Sequence, residues 1–121
     1  MSSNSELDTE RVFDFGWKPE MHQELVLAMT HIPPKCNDWM QRHVEGHTPL
    51  AEQLRDRFEG CWKYEISSDP ELFAEFLAYC NDAGFECLSR MFLLANSLGC
   101  RYLSINIDAD ECPFLDVYRW A

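Results

Sequence analysis

The chain has 121 residues, enough for one domain that buries a core unaided, since disulfide or metal staples become necessary mainly below ~40 residues. Its make-up, 46% hydrophobic and 26% charged, excludes disorder over most of the length. A formal net charge of -11, from 21 acids and 10 bases, argues against direct binding of nucleic acid or anionic lipid and for basic protein partners.

Residues 1–10 are polar and read as a flexible tail, with 11–121 as a single α+β domain. The polar start after Met1 is unlike a secretory signal, and no run nears the ~20 apolar residues of a membrane span. A cytoplasmic protein with reduced thiols is therefore expected. The six cysteines, at 36, 61, 80, 87, 100 and 112, form no CxxC pair, and most lie in apolar runs where Cys acts as a small hydrophobe.

Val12 to Trp17 reads as a short strand or aromatic anchor. Glu24 to Ile32 is a nearly continuous apolar run stopped by Pro33-Pro34, which favours a buried strand. Trp39, Met40 and Val44 follow at helical spacing, with Gly46 as the stop. Thr48-Pro49 then opens a second predicted helix, with Leu50, Leu54 and Phe58 on one face and Gly60 at its end. Cys61 to Ile66 alternates with period two, the pattern of a half-buried strand.

The clearest helix follows Ser68-Asp69-Pro70 and ends before Gly84. Leu72, Phe73, Phe76, Leu77 and Cys80 fall on one side, and Glu71, Glu75, Ala78 and Asp82 on the other. The next helix carries a stripe of Leu88, Met91, Phe92, Ala95 and Leu98, closed by Gly99. Two alternating runs end the chain, Arg101 to Ile107 and Phe114 to Trp120, and the spacing between them suits a β-hairpin. The expected fold is a small, mainly antiparallel sheet with helices on one face, ending in that hairpin.

Four constellations could carry chemistry. His43 and His47, four apart, have zinc-ligand spacing with Cys36 as a third candidate, but Gly46 and Thr48-Pro49 break the helix, so capping or solvent-facing histidines are expected. His31 ends an apolar strand, where a base could act with Asp108 or Asp110, yet no nucleophile motif accompanies it. The run Asp108-Ala109-Asp110-Glu111 resembles the start of a calcium loop, but Pro113 and Arg119 stand where that loop needs Gly and Glu. Weak Mg²⁺ binding by Asp108 and Asp110 is the lesser alternative to a solvated turn. No glycine-rich phosphate loop occurs, and no cofactor is implied.

Charge layout is the stronger signal. No Lys or Arg lies between Lys63 and Arg90, whereas Glu65, Asp69, Glu71, Glu75, Asp82 and Glu86 all do. Carboxylates four apart on a helix stand ~6 Å apart along its axis, near the spacing of nucleic-acid charges. Such a stripe can imitate phosphates to a basic groove.

Two stretches, "LVLAMTHIP" and "LSRMFLLANSLGCRYLSINIDADECPFLDVYRW", resemble a family of small proteins of unknown function from bacterial plasmids, prophages and mobile islands. The resemblance rests on the Thr-His after an apolar strand, Gly99-Cys100, the Asp-x-Asp turn and the closing aromatic and Trp. It implies a mobile-element setting, and no reaction.

The leading expectation is thus a non-enzymatic acidic protein that inhibits or masks a basic surface of a host nucleic-acid-binding protein, such as a defence nuclease or CRISPR effector. Its contacts would be Glu65, Asp69, Glu71, Glu75, Asp82, Glu86, Asp108, Asp110 and Glu111, with Trp17, Tyr118 and Trp120 as aromatic anchors. The alternatives are a small metal-dependent or His-based hydrolase using His31 with Asp108 or Asp110, and a homodimer joined through the aromatic hairpin.

Overall fold

Strand β1 (Glu24–Ala28) opens the part of the chain that the computed structural model describes, residues 22–120. The expected tail and the segment Val12 to Trp17 lie outside it. Alternation places Leu25 and Leu27 on the core side of β1. The strand stops four residues short of its predicted end, because Ala28, Met29, His31 and Ile32 are all buried. A period-two strand cannot bury such a run on one face. The chain instead tightens into a 3-10 turn, Met29–His31, closed by Ile32 N–H to the Met29 carbonyl at 3.1 Å.

Pro34 opens α1 (Pro34–Arg42), which buries Cys36, Trp39 and Met40 at helical spacing. The Thr48 hydroxyl caps α2 (Pro49–Gln53) by accepting from Ala51 N–H at 3.2 Å. Here the expected helix over 48–58 is corrected. The chain straightens at Leu54 into β2 (Leu54–Phe58), and only Leu50 of the expected stripe is fully buried. β2 pairs antiparallel with β3 (Cys61–Glu65) across a two-residue turn, Glu59-Gly60. The partner strand supplies backbone hydrogen bonds that helical periodicity does not anticipate.

Asp69 caps α3 (Pro70–Asp82) through Glu71 N–H at 2.9 Å, and α4 (Glu86–Ser97) follows after Gly84. β4 (Tyr102–Asn106) then inserts between β1 and β3, giving the order β1-β4-β3-β2. It runs parallel to β1 and antiparallel to β3, so the α+β sheet is mixed, and its hairpin lies mid-chain at β2-β3. The rows Leu25–Leu103–Tyr64 and Leu27–Ile105–Trp62 face one core. Each of α1 to α4 contributes to that core, with Trp39, Leu50, Phe76 and Phe92 among their residues.

The expected terminal hairpin is absent. No strand follows β4 among the described residues, and Phe114 is 86% exposed. With β1 on one side of β4 and β3 on the other, β4 has no free edge for a returning strand. Residues 107–120 instead wrap the carboxyl end of the parallel pair β1-β4.

Candidate functional site

The expected acidic contacts divide by what their carboxylates do. Glu65 is spent inside the fold. Its two oxygens accept from Arg55 Nε at 2.6 Å and Arg101 Nε at 2.9 Å. Those two guanidiniums hold its carboxyl below the usual carboxylate range. Asp69 is the α3 cap, and Glu111 accepts from the Thr30 hydroxyl at 2.7 Å. Glu86 lies 4.0 Å from Arg90, which also reaches Asp116 at 3.5 Å. Glu71, Glu75 and Asp82 are exposed on one face of α3, and none forms an ion pair among the described residues. Asp108 and Asp110 are exposed in the turn after β4, where Asn106 Oδ1 accepts from Asp108 N–H at 2.8 Å.

Of the three expected aromatic anchors, Trp17 lies outside the described residues, and Tyr118 and Trp120 are tied to the 3-10 turn and the residue that closes it. Tyr118 N–H donates to the Thr30 carbonyl and Trp120 Nε1–H to the Ile32 carbonyl, each at 2.8 Å. Burial pushes the Tyr118 phenol up. Trp120 also lines a cleft of about 490 Å³, together with Met29, Phe58, Trp62 and Ile107.

His31 is 2% exposed and has no ring nitrogen left for a substrate. Its Nδ1–H donates to the Asp116 carbonyl, and its Nε2 accepts from Cys112 N–H, both at 2.8 Å. The imidazole bolts the terminal segment to the 3-10 turn, an arrangement that speaks against its use as a base. His43 Nδ1–H donates to the Trp39 carbonyl at 2.7 Å and so caps α1. Among the described residues no three His, Cys, Asp or Glu side chains stand together as metal ligands, so His43, His47 and Cys36 make no such cluster.

The contrast between two thiols was missed by sequence reasoning. Cys36, the third residue of α1, is fully buried, and Cys87 is the second residue of α4. Cys87 is half-buried and lines an open cleft of about 320 Å³ with Lys35, Arg90, Asp116 and Tyr118. It also shares a small pocket with His31. The Cys36 hydrogen bond, the first backbone N–H groups of α4 and the Arg90 charge bring the Cys87 thiol down to about 7. Cys36 is driven the other way by the same hydrogen bond and by burial. Each cysteine sits near a helix start in the sequence, which flags it singly, but nothing in the one-dimensional pattern sets the two apart.

No protein-family model, curated protein or solved structure matches the chain. No helix among the described residues is long and apolar enough to cross a membrane.

Proposed function

We propose that the protein is a non-enzymatic acidic binding protein of a phage or other mobile element, acting in the cytoplasm. It covers a basic, nucleic-acid-binding surface of a larger host protein, a defence nuclease or CRISPR effector being the class of target. The observation that carries this reading is the α3 face, where Glu71, Glu75 and Asp82 stand exposed and form no ion pair among the described residues. The helix fixes the backbone and spacing of these carboxylates, so a Lys/Arg groove need order only their side chains. Leu72, 51% exposed on the same helix, adds an apolar contact next to the charges. Glu65 is neutralised internally and belongs to the fold.

The test is capture of host proteins on the immobilised full chain, with salt, competing nucleic acid and a Glu71→Lys/Glu75→Lys/Asp82→Lys variant as the three arms. Expected are captured nucleic-acid-binding proteins that elute with rising salt, are displaced by nucleic acid and are lost with the variant. Capture indifferent to salt and to the triple variant would remove the electrostatic reading.

A further inference from the structure

The end of the sheet where β2 turns into β3 carries a cleft that partner binding through α3 leaves unused. Its apolar wall is drawn from distant parts of the chain. Met29 follows β1, Phe58 closes β2, Ile107 follows β4, and Trp120 comes from the terminal segment. Phe58 is 59% exposed, Ile107 65% and Trp120 39%, so three large apolar side chains meet solvent around one concavity. At about 490 Å³ the cleft has the size of a small-molecule site.

The polar side of the cleft is built almost entirely of donors. Asn37 and Gln41, four apart on α1, border it beside Arg57 of β2 and Trp62 of β3. Trp62 Nε1–H donates to Asn37 Oδ1 at 2.8 Å, and Arg57 Nη2–H donates to Gln41 Oε1 at 3.4 Å. An indole nitrogen and a guanidinium can only donate, so both amide oxygens are occupied and the amide N–H groups are left over. Those N–H groups have no partner among the described residues. Arg57 lies over the Trp62 ring, 5.2 Å from its centroid, and forms no ion pair among the described residues. Glu59 at the turn also borders the cleft and opposes the Arg57 charge.

We propose that this cleft binds a small aromatic carboxylate. The ring lies against Phe58 and Trp120, and the carboxylate accepts from Arg57 and from the side-chain amides of Asn37 and Gln41. A guanidinium fork suits a planar carboxylate, and aromatic rings meet well edge-to-face or offset. An uncharged aromatic would leave the guanidinium without a counter-charge, and an anion without a ring would leave the apolar wall wet. Both indole N–H groups are already committed, Trp62 to Asn37 and Trp120 to the Ile32 carbonyl. The two rings are therefore held in place before a ligand arrives.

The experiment titrates the isotope-labelled full chain with naphthoate and, separately, with naphthylmethanol, its uncharged counterpart, and follows both by NMR. Naphthoate should shift the indole N–H signals of Trp62 and Trp120 and the side-chain amides of Asn37 and Gln41 together and saturably. Its affinity should exceed that of the alcohol by about tenfold, the value of one charge-assisted hydrogen bond. Arg57→Gln should erase that difference, and Glu59→Gln should tighten naphthoate binding. Equal affinities for acid and alcohol in the unmutated protein overturn the anionic ligand. Shifts that map elsewhere, or that never saturate, overturn the site. A dimer in light scattering whose Trp120 indole signal moves with protein concentration alone overturns it in favour of a second copy as occupant. The acid–alcohol comparison needs no variant to fold. The Glu71→Lys/Glu75→Lys/Asp82→Lys variant should bind naphthoate as the parent does, so failure here and failure of the α3 reading are separate results.

Discussion

His31 joins elements that are distant in the chain. It sits 81 residues from Cys112 and 85 from Asp116, yet it bonds the backbone of both. Replacing it by Ala removes two hydrogen bonds, leaves the Cys112 N–H unpaired and opens a void under the terminal segment. The expected cost is about 3 kcal/mol in urea unfolding, with faster hydrogen exchange at the Cys112 amide. Unchanged exchange there would show that the segment is held by other contacts.

Glu65 is the second residue with a measurable signature. Its folded carboxyl titrates below the unfolded value of ~4.3, so the arginines stabilise the fold above that pH. The contribution fades as the pH falls through the lower folded value. Because Arg55 and Arg101 are 44% and 42% exposed, solvent screening keeps the effect small. Glu65→Gln should cost about 1 kcal/mol at pH 7, and parent and variant should converge in acid. A deficit that persists at low pH would mean the loss is one of packing.

Among the elements, the β2-β3 hairpin depends most on a single backbone position. Gly60 has φ +76°, and a Cβ there would lie 2.7 Å from Ile107 Cγ2. Ile107 N–H also donates to the Gly60 carbonyl at 2.8 Å, so the turn is pinned to the end of β4. Gly60→Ala should therefore cost about 2 kcal/mol, part for the left-handed backbone and part for the clash. Gly84 is also left-handed but has nothing near its Cβ position, so Gly84→Ala should cost about 1 kcal/mol. Denaturant midpoints for the two variants check the order, and equal losses would put the Ile107 contact in doubt.

Across the whole molecule, charge is unevenly placed. The net charge is -11, while Arg55, Lys63, Arg90 and Arg101 are already committed to ion pairs. What remains on the α3 face is unopposed repulsion, which salt screens as the Debye length falls from ~30 Å at 0.01 M to ~8 Å at 0.15 M. Thermal unfolding should shift upward by about 3 °C over that range. A downward shift would mean that the surface ion pairs outweigh the repulsion.

Local patterns were enough for much of this protein. The apolar stripe of α4, the Asp69-Pro70 start of α3 and the alternation of β3 are each written in a few neighbouring residues, because capping, helical spacing and strand alternation are short-range. The exposed Glu71–Asp82 face follows from the same spacing. Three features were not legible in that way. Leu54 to Phe58 carries a helical pattern but becomes a strand because β3 offers it an edge. Phe114 to Trp120 carries a strand pattern but stays irregular because β1 and β3 have filled both edges of β4. Cys36 and Cys87 both read as small hydrophobes, and only the fold drives their thiols in opposite directions. Which edge is free and which helix ends converge depend on the assembled sheet, since contacts across 50 or 80 residues leave no trace in local spacing.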